Sequence, residues 1–341
     1  MRRHVPLRFL SAPLVVLSAF TGFACGGGNA GTSAPQVIAS DGSSTVFPIT
    51  EAVAEEFQKA NPSIRVTVSE SGTGAGFQKF CRNEIAVSNA SRPIKASEAE
   101  ACTAAGITYI ELPVAYDGLS VVVHPSNTWA TSITSAELKR LWEPSAQGTV
   151  MRWNQVRAGW PDQEIHLFGP GTASGTFDYF TEAINGKAQA SRGDYTASEN
   201  DNVLVQGVST DPNGLGYFGM AYYEQNKTRV KVVPVDDEDA SNGAGPVAPS
   251  LETVRNGTYR PLSRPLFIYV NAAALARPEV QQFIDYFVNS PEDLIQTVGY
   301  VPLATAERDL VKARFSARTT GSMFAGASQT ASLEALLRGQ R

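Results

Sequence analysis

Three stretches of the chain repeat one arrangement of hydroxyl and glycine residues. They are Asp41-Gly42-Ser43-Ser44-Thr45-Val46-Phe47-Pro48, Ser71-Gly72-Thr73-Gly74-Ala75-Gly76 and Gly169-Pro170-Gly171-Thr172-Ala173-Ser174-Gly175-Thr176. Each follows a short β-branched run and precedes an amphipathic segment with helical spacing. The first amides of a helix have no intrahelical partner and carry the positive end of its dipole, so such a loop is a donor-rich seat for an oxyanion. Taken singly, each loop reads more simply as N-capping and turn chemistry. Three together, none carrying lysine, point to one shared anion held by hydroxyls and local dipoles rather than by net charge.

Other chemistries fail on spacing. No loop supplies the GK[ST] of a P-loop, and the glycines around Ser174 fall at Gly171 and Gly175, which is not the GxSxG of a nucleophile elbow. Gly214-Leu215-Gly216-Tyr217-Phe218-Gly219 matches GxGxxG, but its aromatics and the lack of a preceding strand make it a turn into a strand. Asp236, Asp237, Glu238 and Asp239 form a solvated run and not an acid/base dyad. With histidines only at 4, 124 and 166 and no CxxC, neither a metal site nor another cofactor is expected.

The elements that must position the loops follow from periodicity. Strand-like runs at 37–39, 64–68, 119–123, 165–168, 230–235 and 266–270 alternate with helical patterns at 49–60, 135–142, 177–184, 278–288, 291–298 and 333–337. This alternation predicts an α/β fold with sheets covered on both faces. The 341 residues, 43% of them apolar, suffice for about two domains. A formal charge of −5 and no Lys/Arg cluster exclude a nucleic-acid partner.

Ahead of the fold, Arg2, Arg3 and Arg8 precede an apolar run from Phe9 to Phe20, the pattern of a secretory signal too short to span a bilayer. Gly22-Phe23-Ala24-Cys25 resembles a bacterial lipobox, which implies removal of residues 1–24, a lipid on the Cys25 sulfur and a flexible linker over 25–35. Cleavage there removes three arginines and no acid, so the mature chain is more acidic still. In that oxidising setting Cys81 and Cys102 are expected to form a disulfide.

At these loops the sequence resembles the PstS-type phosphate-binding proteins, the extracytoplasmic receptors of the phosphate-specific ABC transporter. The resemblance runs from about Gln36 to Phe324, through DGSSTVFPIT (41–50), SGTGAGF (71–77), SNASRPI (88–94), ELPVAYDGLSVVV (111–123), GPGTASGTFDYF (169–180), GLGYFGMAYY (214–223) and RPLFIYVN (264–271). It implies a two-lobed periplasmic-binding-protein fold of class II type with two crossover hinge strands. Lobe I would comprise 36–114 and 265–341, and lobe II 115–264.

The resemblance also implies a monomeric binding protein, not an enzyme, whose partners are inorganic phosphate and the membrane subunits of an ABC permease. Carried over by position, the contacts are the hydroxyls of Ser44 or Thr45, the amides of Val46 and Phe47, Thr73, and the cluster Ser174, Gly175 and Thr176. Two departures stand out. Asn89 occupies the place where the family sets an aspartate to accept the proton of hydrogen phosphate, and Pro170 the place of an arginine. Arg92 and Arg192 are the expected substitutes for the guanidinium. Without an aspartate at 89, sulfate or molybdate is the rival ligand. An exported phosphatase using Ser174 or Thr73 would lack a base, since neither His124 nor His166 lies beside them in sequence.

Overall fold

Short β-branched runs and amphipathic segments alternate in space much as they do along the chain. The computed structural model describes residues 36–172, 174–198, 200–240, 243, 245–326 and 332–339. The expected signal, the linker and Cys25 lie outside the described residues. β1 (Gln36–Gly42), α1 (Phe47–Ala60), β2 (Ile64–Val68), α2 (Thr73–Cys81), β3 (Val87–Ala90) and α3 (Ala96–Ala104) lead to the long β4 (Tyr109–Val123). Then come β5 (Ile133–Thr134), α4 (Ser135–Trp142), α5 (Trp153–Val156), β6 (His166–Gly169), α6 (Gly175–Asn185), β7 (Thr196–Ala197) and α7 (Asp201–Thr210). β8 (Gly214–Gly219), α8 (Met220–Gln225), β9 (Lys231–Val232), β10 (Val235–Asp236) and α9 (Leu251–Arg255) follow. The chain returns along β11 (Ser263–Asn271) and ends in α10 (Pro278–Val288), α11 (Glu292–Thr297), α12 (Thr305–Ser316) and α13 (Leu333–Leu337).

One nine-stranded sheet runs β2-β1-β3-β11-β4-β8-β6-β7, with β9 added on β4. Its two ends are parallel, β1 with β2 and β3 on one side and β6 with β7 and β8 on the other. The middle is antiparallel. β4 pairs with β11 from Tyr109 to Gly118 and with β8 from Leu119 onward, so one continuous strand serves both halves. At the register shift between Leu266 and Phe267, Val114 is the extra residue on β4, directly after Pro113, which has no N–H to give to the ladder.

β4 is buried along nearly its whole length and is mostly apolar, but it carries two buried acids, Glu111 and Asp117. Glu111 is fully served: it accepts from the Tyr269 hydroxyl (2.5 Å), Ser322 Oγ (2.8 Å) and the Met323 amide (2.8 Å). These bonds fasten the turn before α13 to the crossing strands.

Helix ends follow local chemistry. Thr134 and Glu137 form a reciprocal capping box at the start of α4, with bonds of 3.2 and 2.9 Å. Pro278 opens α10, where a missing N–H costs nothing. The run expected over 230–235 is instead two short strands, β9 and β10, because Pro234 between them cannot donate. The GxGxxG match at 214–219 is strand β8 itself.

Cys81 at the end of α2 and Cys102 in α3 form a disulfide across a sequence separation of 21. They pack with Phe77, Phe80, Tyr109, Phe267 and Tyr269 in a core under the first half-sheet. Closing a loop of that length should stabilise the fold by about 3 kcal/mol, so urea denaturation with reductant should show that loss relative to the oxidised protein. An unchanged midpoint would mean that the loop is held by packing alone.

Candidate anion-binding site

The first two loops are drawn together by one buried carboxylate. Asp41, at the end of β1, accepts from the amides of Gly42 (2.7 Å) and Ser71 (3.0 Å) and pairs with the Lys79 ammonium of α2. The Gly72 amide adds a 2.7 Å bond to the Gly42 carbonyl. At Gly76 the backbone of α2 comes so close that a Cβ would lie 2.6 Å from the Gly42 Cα. Only glycine permits that approach.

Neither helix that starts here is capped by a side chain: the N-caps are Val46 for α1 and Gly72 for α2. The third loop differs, because Ser174 caps its own helix by accepting from the Thr176 amide at 3.2 Å. The capping reading therefore holds for the third loop, while the start of α2 opens beside a cavity.

That cavity, about 260 Å³, is lined by Ser43, Ser44 and Thr45 of the first loop and by Gly72, Thr73 and Gly74 of the second. Ser91, Arg92 and Lys95 complete this side. Opposite stand Asp178, Tyr179 and Glu182 of α6, with Arg264 from β11. Thr73 Oγ1 lies 3.1 Å from Ser91 Oγ and accepts from the Ser91 amide at 3.2 Å, so two hydroxyls from separate segments sit side by side. Ser91 lies just past the carboxyl end of β3, where open α/β sheets gather their ligands.

Of the residues singled out from sequence, Ser44, Thr45, Thr73 and Arg92 are brought together around this cavity. The others do not line it. Val46 is wholly buried in the core, and the Val46 and Phe47 amides donate to the Ser43 carbonyl at 3.2 and 3.0 Å, so they close a turn instead of facing the cavity. Asn89 is fully buried behind the first loop. Its Oδ1 accepts from Thr50 Oγ1 at 2.9 Å and Ser40 Oγ at 3.4 Å, and its carbonyl accepts from the Ser43 amide at 2.9 Å.

Ser174, Gly175 and Thr176 abut the first loop without lining the cavity. Thr45 Oγ1 donates to the Gly175 carbonyl at 3.4 Å, and a Cβ on Gly175 would lie 2.8 Å from Thr45. Arg192 is 2% exposed, locked by Asp194 at 2.6 and 2.9 Å and by the carbonyls of Leu141 and Val150 at 3.1 and 2.9 Å. It serves the interior of its own half. Arg92 reaches the cavity wall but is held bidentately by Glu98 at 2.8 and 2.8 Å.

Arg264, Ser91, Lys95 and Asp178 were not singled out from sequence. The arginine heads the block 264–271 and follows the cis peptide bond between Arg260 and Pro261 by three residues. A lone cation at the mouth of an apolar strand was the available signal. Its Nη2 donates to Thr45 Oγ1 at 3.2 Å, its Nε lies 3.5 Å from Asp117 Oδ2, and its guanidinium stacks 3.6 Å from the Tyr179 ring centroid.

Burial raises the Asp117 carboxyl to about 6 against the pull of Arg264. Burial likewise raises Asp178, whose Oδ1 is buried with no hydrogen-bond partner among the described residues. Neither His124, which bonds Ser126, nor His166, which pairs with Asp211, lines the cavity. Among the described residues no group of three or more His, Cys, Asp or Glu could hold a metal ion, and no helix is long and apolar enough to cross a membrane.

A continuous sheet whose two parallel ends are joined through the antiparallel strands β4 and β11, with a hydroxyl-rich cavity lined from both halves, is a periplasmic-binding-protein fold. The family model of the PBP superfamily domain matches residues 29–292. The chain is 50% identical over 305 residues to Protein SphX of Synechococcus elongatus, covering 89% of each. It is 37% identical over 285 residues to the phosphate-binding protein PstS of Staphylococcus saprophyticus, covering 82% of this chain and 85% of that one. A crystal structure titled as a possible phosphate binding protein from Planctomyces limnophilus is 49% identical, with a TM-score of 0.80, over 84% of this chain and all of that one. The chain belongs to the PBP superfamily and, within it, to the family of SphX and PstS.

Asp41 touches no part of the cavity yet holds both loops. Burial works to raise its carboxyl, but the bonds from Lys79, Ser71 and Gly42 outweigh it and hold the group below its ordinary value. A depressed carboxyl stabilises the fold above its unfolded value near 3.8 and loses that contribution as pH falls through the folded one. Asp41→Asn should therefore cost about 1–3 kcal/mol at pH 7, and the gap to wild type should close toward pH 3 in chemical denaturation. A gap independent of pH would contradict this role for the carboxylate.

Proposed function

We propose that the protein is an extracytoplasmic receptor that captures inorganic phosphate between two lobes and delivers it to an ABC-type permease. The observation that carries this reading is the meeting of the Thr73 and Ser91 hydroxyls, the uncapped start of α2 and the Thr45 hydroxyl around one cavity of about 260 Å³. Hydroxyls and helix amides give an oxyanion back the hydrogen bonds it loses on leaving water. The names of the relatives support phosphate as the ion.

In this reading 36–114 with 265–341 form one lobe, 115–264 the other, and β4 and β11 are the hinge. Closure is a shift of population toward the state in which both lobes touch the ion. The signal over 1–24 is removed and Cys25 carries a lipid that keeps the receptor at the membrane surface. Ser44, Thr45, Thr73, Ser91 and the start of α2 form the seat, and no cofactor takes part.

Preference for phosphate over sulfate is supported by the acids of α6. Asn89 Oδ1 is taken by Thr50 and Ser40 behind the first loop, whereas Asp178 lines the cavity and its Oδ1 has no hydrogen bond among the described residues. Hydrogen phosphate has a proton to give to a carboxylate; sulfate has none and meets like charge.

Calorimetry should show phosphate binding by the wild-type protein, weakened about tenfold by Thr73→Ala and by Ser91→Ala, each of which deletes one hydrogen bond worth about 1–1.5 kcal/mol. Ser174→Ala should instead lower stability by about 1 kcal/mol through its cap. Unaltered affinity in both cavity variants would defeat the assignment. Asp178→Asn should let sulfate compete where it does not compete in wild type, and continued exclusion of sulfate would remove Asp178 from the selection.

A further inference from the structure

The first-loop cluster lacks a cation of its own, and the arginine expected at position 170 is a proline. Arg92, Lys95 and Arg264 line the cavity and Arg192 is the other arginine expected to serve it, and three of these four are disqualified by their surroundings. Arg192 is internal to the opposite half, Arg92 has both terminal nitrogens on Glu98, and Lys95 is exposed to solvent. Arg264 differs from all of them. Its side chain is 14% exposed, it lines the cavity, and its Nε is buried without a hydrogen bond among the described residues. Its ion-pair partners are distant, Asp117 Oδ2 at 3.5 Å and Glu182 Oε2 at 3.9 Å. A guanidinium has five donors, and here one reaches Thr45 Oγ1 at 3.2 Å while the rest lack close partners.

From this geometry we propose that Arg264, delivered by the crossing strand β11, is the guanidinium that binds the anion, replacing the arginine that Pro170 removed from the third loop. The inference rests on the phosphate reading given above. Tyr179 and Asp117 are positioning residues. The Tyr179 ring covers the guanidinium face at 3.6 Å and is itself fixed by its hydroxyl on the Pro261 carbonyl at 2.7 Å. Asp117 holds the Nε edge from behind, on the neighbouring strand, where Arg264 pairs with it in register.

The guanidinium is therefore oriented before any ligand arrives and is not consumed by its counter-ion, the arrangement that lets a planar donor grip two oxygens at once. Origin on a crossing strand has a functional consequence. A residue on the hinge moves less during closure than residues on α6, so the cation is in place beside the hydroxyls of lobe I while the cleft is still open.

The test uses the mature full chain and phosphate titrations of wild type, Arg264→Lys, Arg264→Gln and the double variant Arg264→Gln/Asp117→Asn. The double variant removes the buried carboxylate that a lone Arg264→Gln would strand, so it remains readable if the single variant does not fold. Expected are affinity losses of about 10-fold for Arg264→Lys and about 100-fold for both glutamine variants. Association should also be slower in both glutamine variants and less sensitive to salt than in wild type. Wild-type-like affinity in the folded double variant would overturn the proposal and leave the phosphate reading intact. Failure of the wild-type protein to bind phosphate would overturn both.

Discussion

An oxyanion leaving water must recover every hydrogen bond it gives up, and an acidic chain must supply them without net positive charge. This requirement governs the architecture. Helix openings and hydroxyls from distant segments have to converge on one small volume, and the chain achieves this by ending β1 and β3 beside each other and starting α1 and α2 at their carboxyl edges. The Asp41 carboxylate and the Gly42–Gly76 contact fix the distance between the loops. In the proposed receptor these loops are a preorganised half-site, which keeps the ordering cost of binding low.

The two crossing strands link that half-site to the rest of the molecule. β4 is shared by both half-sheets, and its acids play different parts: Glu111 is satisfied and bolts the C-terminal turn, while Asp117 is under-satisfied and sits behind Arg264. A buried charge with imperfect pairing is costly, and such costs persist where function requires them. In the proposed complex the incoming anion completes the network that Arg264 and Asp117 leave open.

Much of this was legible in the sequence for identifiable reasons. Ser44, Thr45 and Thr73 sit in glycine-hydroxyl loops between a strand and a helix, a local pattern, and local patterns survive into structure. The helices at 135–142 and 278–288 carry both their apolar period and their opening signals, and their ends match the expected ones. Asn89 and Ser91 lie two residues apart in one block, yet only the second is past the end of β3, and spacing alone does not say where a strand stops. Arg264 depends on the pairing of β11 with β4, across a separation of well over a hundred residues, and no local signal encodes that. Arg192 illustrates the reverse: an arginine in a polar loop reads as available, while in space its donors are absorbed by Asp194 and two carbonyls.

The central claim is that these separate segments surround one tetrahedral ion. Crystals grown with arsenate, a heavier tetrahedral stand-in for phosphate, would locate it by anomalous scattering. The account predicts a single arsenic peak whose oxygens lie within hydrogen-bonding reach of the Thr73 and Ser91 hydroxyls and of the Arg264 guanidinium. A peak elsewhere, beside Arg255 and Arg260 or at the far face of the sheet, or an empty cavity in protein that binds arsenate in solution, would contradict it.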